Sequence, residues 1–269
     1  MRKIIYPALA LGCLLMNACS NDPEPAANGE AKLVVDLGAD LSFTGENTGA
    51  KKRAIDESAY TNIRNYTVTL TKTATGETVH SDVYSNWALA YQVESGTQYT
   101  LTASYGEEAA ASYDKLLVTG SETFNVQPGS TKQVSFQCKP KAAKINVVFS
   151  DDFSEYYSDC EVSIKTKHMT SAVVMSKGTV GQDLYIKADD NGEPVSLDFN
   201  ILDLNGSPVV IDGVSTSKSV TIKPQTLLKI TIKPNVTEIA GGKFGLNITV
   251  NTGVTEEDVN IVIPNSVFE

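Results

Sequence analysis

Apolar residues recur at every second position through most of the chain, and this alternation predicts its elements. Leu33, Val35 and Leu37 alternate with Lys32, Val34 and Asp36, the period of a strand with one face turned to a core. From Asn62 the pattern persists: Tyr66, Val68 and Leu70; Val79 and Val83 beyond a turn at Gly76; Leu89, Tyr91 and Val93; Tyr99, Leu101, Ala103 and Tyr105; Phe124 and Val126; Val134, Phe136 and Cys138. Only the acidic and Ala-rich stretch between Gly106 and Gly120 is less regular. A second series follows: Ile145, Val147 and Phe149; Val162 and Ile164; Leu184 and Ile186; Val195, Leu197, Phe199 and Ile201; Val220 and Ile222; Leu228, Ile230 and Ile232; Phe244, Leu246, Ile248 and Val250; Val259, Ile261 and Ile263. Short alternating runs bounded by Gly, Pro, Asn and Ser predict an all-β chain of two tandem, mostly antiparallel β-sandwich domains. The one helical feature is a turn near 151–157, with Ser150 or Asp151 as its cap. Lys139-Pro140-Lys141 marks the boundary, giving an N-terminal domain over 31–138 and a C-terminal domain over 139–269.

The first residues carry a different pattern. Arg2-Lys3 precedes an apolar stretch, Ile4 to Met16, that is short for a bilayer span and reads as an export signal over 1–18. Around Cys19 the residues Leu15-Met16-Asn17-Ala18-Cys19-Ser20 are similar to a bacterial lipobox, which makes Cys19 the expected site of lipid attachment. An ordinary secretory signal with an incidental cysteine is the alternative, and Cys13 is a weaker competitor. Residues 19–30, polar with Pro, Asn and Ala, form a tether. The 22 basic residues become 20 without Arg2 and Lys3, against 32 acidic ones. So acidic a chain repels polyanions, which argues against nucleic acid as a partner.

Candidate chemistry is sparse. His80 and His168 are the only histidines, neither lies in a ligand-spaced or nucleophile motif, and there is no Gly-rich phosphate loop. The expectation is no enzyme, no catalytic residues, no cofactor and no metal. Asp189-Asp190-Asn191-Gly192-Glu193 gathers oxygens as a calcium loop does, but its spacing is not that of an EF-hand, and Asn-Gly between alternating runs is a hairpin signal. Cys138 and Cys160 either pair in an oxidising exterior or stay as buried thiols. If the strand of Ile145 to Phe149 pairs with that of Val162 to Ile164, the two cysteines lie toward opposite ends, which favours thiols. Trp87, the single tryptophan, lies beside Tyr84 and Asn86 and is either a glycan contact or a packed sandwich residue. Lys51-Lys52-Arg53-Ala54 is an accessible basic loop, suited to an Arg-specific protease and equally to a solvated linker.

Ala54-Ile55-Asp56, Asn65 to Leu70, Tyr99 to Gly106, Phe124-Asn125-Val126 with Gly129, and Val134 to Cys138 with Lys144 to Val147 together resemble a Bacteroidales lipoprotein family grouped with fimbrillin-like cell-adhesion proteins. The resemblance extends over most of residues 30 to 269. It implies a two-domain lipoprotein of the outer membrane surface or fimbrium, similar to pilins that a trypsin-like protease matures. On that pattern Arg53-Ala54 is the scissile pair, Leu33, Val35 and Leu37 lie on the removed strand within 31–53, and Val259, Ile261 and Ile263 lie on the donor strand that fills a neighbour's groove. The implied partners are the lipid anchor, other pilin subunits and a host or bacterial surface ligand. The rival reading is a lipid-anchored glycan-binding module using Trp87.

Overall fold

The structure is a computed structural model that describes residues 29–45, 55–209, 216–235, 244–253 and 256–263, with Phe244 and 256–263 described as backbone alone. The signal segment 1–18, Cys19, most of the tether, Arg53 and Ala54 therefore lie outside the described residues. The described chain is all-β, with short 3-10 turns in place of α-helices. None of its helices is long and apolar enough to cross a membrane.

The first half contains β1 (Glu30–Ala39), β2 (Thr67–Lys72), β3 (Thr78–Val83), β4 (Tyr91–Glu94), β5 (Gln98–Gly106), β6 (Ala111–Ser112), β7 (Leu117–Asn125) and β8 (Thr131–Pro140). Seven of these run in the order β3-β2-β5-β7-β8-β1-β4. Strand β8 turns the corner of this sheet: Thr131 to Cys138 pair with β1, whereas only Lys139 and Pro140 pair with Thr119 and Val118 of β7. Two layers result, β3-β2-β5-β7 and β8-β1-β4, around a core that includes Leu33, Tyr66, Leu70, Tyr99, Leu101 and Cys138. Each of these residues was an inward position of an alternating run, which is why the strands form where they do.

The second half contains β9 (Ala142–Phe149), β10 (Asp159–Lys165), β11 (Val173–Met175), β12 (Leu184–Lys187), β13 (Glu193–Leu202), β14 (Ser217–Ile222), β15 (Leu227–Pro234), β16 (Phe244–Asn251) and β17 (Glu256–Ile263). A four-stranded sheet, β11-β10-β13-β14, faces a six-stranded one, β17-β16-β15-β9-β12-β6. Val162, Ile164, Leu197 and Phe199 meet Ile145, Val147, Ile230 and Ile248 in a second core. A 3-10 turn spans Asp151–Glu155 with Ser150 at its N-cap position, although the Ser150 side chain makes no capping hydrogen bond. Strand β9 pairs with β12 and, in parallel, with β15; β10 pairs with β11 and β13. The pairing of Ile145–Phe149 with Val162–Ile164 is thus not formed, because the two strands belong to facing sheets. Cys138 and Cys160 are free thiols, one in each core.

The halves meet over the outer face of the six-stranded sheet. Ala142, Tyr185 and Leu227, all on that sheet, pack into the first core. Ala111–Ser112 of β6 pairs with β12, and Thr44 forms a parallel bridge to Thr226, with Thr44 N donating to Gln225 O at 2.8 Å and Leu227 N to Thr44 O at 3.0 Å. Beyond Thr44, Gly45 lies against Gly253, both at positive φ (88° and 77°); a Cβ on Gly45 would sit 2.7 Å from the Gly253 Cα. Only glycine combines that backbone conformation with so close an approach.

Candidate functional site

Strand β1 is the feature around which the first sandwich is arranged. Its Leu33 is fully buried and Leu37 nearly so, while Val35 is half-buried against the same core. Burying one such leucine contributes roughly 1.5–3 kcal/mol. Along one edge β1 runs parallel to β8, from Lys32 opposite Thr131 to Ala39 opposite Cys138. Along the other, only Glu30 to Leu33 are paired, antiparallel to Glu94 through Tyr91 of β4. Beyond β4 the Tyr84 hydroxyl donates to the Val35 carbonyl at 2.8 Å. Burial, and beyond that the charge of Asp36, raises the Tyr84 pKa above its ordinary value, so this hydroxyl keeps its donor proton.

Among the described residues, strand β4 pairs with β1 alone and stands at the end of its layer. Its Tyr91 reaches β3, the end strand of the other layer: His80 stacks on Tyr91 with centroids 4.7 Å apart, and Trp87 lies 4.9 Å from His80 and 5.6 Å from Tyr91. All three rings are half-buried, and the Trp87 indole N–H donates to Asp82 O at 3.3 Å. Leu89, counted as an inward position by the alternation, is 95% exposed beside them, because β4 begins only at Tyr91. Along the same seam a cleft of about 730 Å³ is lined by Glu30, Lys72, Glu77, Gln92, Glu94 and Tyr99. Lys72 bridges Glu77 and Glu94 at 3.3 Å each, and those carboxylates, Glu77 first, raise its ammonium pKa.

Among the described residues, β17 forms the edge of the six-stranded sheet, paired only with β16 from Ile263 opposite Phe244 to Glu256 opposite Asn251. The side chains of Val259, Ile261 and Ile263 lie outside the described residues. The structure therefore sets Leu33, Val35 and Leu37 on one strand of the first sandwich, Trp87 on the seam beside it, and β17 on the other half.

The acidic turn near Gly192 is a turn, with Gly192 N donating to Asp189 O at 2.9 Å. It does not make a hairpin, since β12 and β13 on either side belong to different sheets. His168 Nε2 lies 3.1 Å from Asp189 Oδ1 and 3.3 Å from the buried Glu193. The Lys167 ammonium contacts both carboxylates and, by hydrogen bonding, lowers the Asp189 pKa.

Alternation missed one cluster entirely. Lys144 and Asn146 alternate with the inward Ile145 and Val147 of β9, yet both are buried under the first half of the chain. Lys144 Nζ lies 2.7 Å from Glu57 and 3.9 Å from Asp183. The only signal was their placement in a strand whose other neighbours are apolar.

The model of a family described as a domain of unknown function (DUF4493) matches residues 40–265. A search of curated proteins returns no match. Similar solved structures include a candidate cell adhesion protein from Bacteroides eggerthii, with 12% identity, 88% of this chain and 96% of that chain covered and a TM-score of 0.44. A candidate adhesin from Bacteroides ovatus has 11% identity, covers 86% and 95%, and has a TM-score of 0.40. A candidate polysaccharide-binding protein from Bacteroides thetaiotaomicron has 11% identity, covers 86% and 98%, and has a TM-score of 0.36.

Proposed function

Because the chain belongs to the DUF4493 family, a domain of unknown function, we propose its role from its own geometry: a surface-anchored, fimbrillin-like adhesion or pilus subunit. In this reading Cys19 carries the lipid that holds the precursor at the outer membrane. An Arg-specific protease cuts between Arg53 and Ala54, segment 31–53 leaves with β1, and β17 of another subunit takes the vacated place.

The observation that carries the reading is the position of β1. It fills a slot between β8 and β4, yet the layer β3-β2-β5-β7 is complete without it. Its departure would open backbone groups on β8 and β4 together with the apolar floor under Leu33 and Leu37, an arrangement that strand addition satisfies. The β1–β8 ladder spans Lys32 to Ala39, and β17 spans the same length, Glu256 to Ile263. Val259, Ile261 and Ile263 repeat the spacing of Leu33, Val35 and Leu37. Being an edge strand, β17 has one ladder to give up.

The test is digestion of the folded precursor with an Arg-specific protease, followed by intact mass. A single cut at Arg53-Ala54, with release of the segment and growth of higher-mass assemblies, is the expected result. A bond that stays intact under native conditions overturns the processing step.

A second reading rests on the His80, Trp87 and Tyr91 rings beside exposed Leu89: a lipid-anchored module that stacks sugar rings. Glycan-array binding that Trp87→Ala abolishes supports it, and a silent array with the wild-type protein counts against it.

A further inference from the structure

We propose that Lys144 and Asp183 become joined by an intramolecular isopeptide bond, formed by condensation within the folded protein, with Glu57 as the proton-transfer group. Three charged side chains meet between the two halves, with exposures of 1% for Lys144, 5% for Glu57 and 3% for Asp183. Lys144 lies opposite Tyr185 in the β9–β12 ladder, and Asp183 immediately precedes β12. Lysine and aspartate are therefore diagonal neighbours on one sheet face. Glu57, on the 3-10 turn Glu57–Thr61, descends on that face from the other half.

Each neighbour suits one part of the reaction. Lys144 Nζ lies 2.7 Å from Glu57 Oε1 and 3.9 Å from Asp183 Oδ2. Asn146 Nδ2 donates to Asp183 Oδ1 at 3.0 Å, which leaves Oδ2 turned toward the lysine. The Tyr185 hydroxyl donates to Glu57 Oε1 at 2.5 Å and fixes that carboxyl. The Phe43 ring centroid is 4.1 Å and that of Tyr185 5.7 Å from Nζ, completing an aromatic enclosure.

In the reaction the lysine nitrogen, its proton taken by Glu57, attacks Cγ of Asp183. Charge developing on Oδ1 is met by the Asn146 N–H, as a preorganised donor meets an oxyanion. Glu57 relays both protons lost by the lysine nitrogen, the one taken before attack and the second shed from the tetrahedral adduct, to Oδ2, which departs as water while the C–N bond is kept. An ammonium and a carboxylate give one amide and one water, so atoms and charge balance without an oxidant or cofactor. Positioning replaces a bimolecular encounter, and the product removes one buried charge of each sign, whose desolvation is costly. The inference does not depend on strand exchange, since Glu57 lies beyond Ala54 and remains with a processed chain.

Intact mass spectrometry of the folded full chain tests it directly. The expected mass is one water below that calculated from the observed N-terminus, and trypsin should yield a branched peptide containing both Lys144 and Asp183. The variants Lys144→Met and Asp183→Ala should show their full calculated masses. Glu57→Gln should do the same while retaining the β-rich circular dichroism of the parent; a Glu57→Gln protein still one water light overturns the role given to Glu57. A wild-type protein at its full calculated mass overturns the bond and leaves the cluster as ion pairs only.

Discussion

The ring of His80 stacks on that of Tyr91 at 4.7 Å and 22°, although their strands stand at opposite ends of the seven-stranded sheet. The contact closes the rim of the first sandwich. It depends on β1, because Tyr91 is held opposite Leu33 in the only ladder that β4 makes. Removing segment 31–53 should therefore disturb Trp87, and as the sole tryptophan its emission reports the event without interference. A red shift on cleavage is expected, reversed when a peptide covering 256–263 is added. An unchanged spectrum would show that the aromatic seam stands without β1.

Truncating Leu33 tests how firmly β1 is seated. Leu33→Ala leaves a cavity in a fully buried site and should cost about 2–5 kcal/mol in denaturant unfolding. Tyr84→Phe removes only the hydroxyl that donates to the Val35 carbonyl, and a loss of about 1 kcal/mol is expected. Equal effects from the two would contradict a slot held chiefly by apolar burial.

Gly253→Ala should lower the melting temperature. The new Cβ would lie 2.7 Å from Thr44 O and 2.8 Å from Gly45 Cα, at a φ of 77°. A loss exceeding about 1 kcal/mol is expected, more than a compatible Gly→Ala change usually gains. Alanine at Gly76, which has positive φ but open space around it, provides the control for backbone conformation alone and should cost less.

The thiols give a pH prediction. Burial pushes Cys138 up to about 11, and Cys160 higher still. In the unfolded chain a thiol ionises near ~8.5, so the folded state keeps protons that the unfolded state loses. The stability from this difference is complete below that pH and is lost as pH climbs toward 11. A thiol reagent at pH 8 should label neither cysteine in the native protein and both in denaturant. Native labelling at either position would contradict the packing.

Alternation made the all-β class and nearly every strand legible, because side chains of a half-buried strand must alternate whatever their partner is. Partner identity is not written in that period. Ile145–Phe149 and Val162–Ile164 carry the same signal and sit in different sheets, and β1 gives no sign within its own residues that it lies parallel to β8. The burial of Lys144 and Asn146 was not legible for a related reason: an outward position means solvent only when nothing covers the face. Here Phe43 and Glu57, distant in the chain, cover it. The rings of Trp87 and Tyr91 were visible one at a time, but their meeting with His80 required the sandwich rim to close.

The Gly45–Gly253 contact has a bearing on when assembly could begin. Gly45 ends the described part of the leader segment, and Gly253 sits in the connection from β16 to β17. A leader in place thus presses on the root of the very strand proposed to be donated. On the proposed reading a precursor would be mute twice over, its groove occupied and its donor latched, and one proteolytic event would release both restraints. Premature polymerisation during export would then be suppressed by the subunit itself, with no need for a separate chaperone to cover either end.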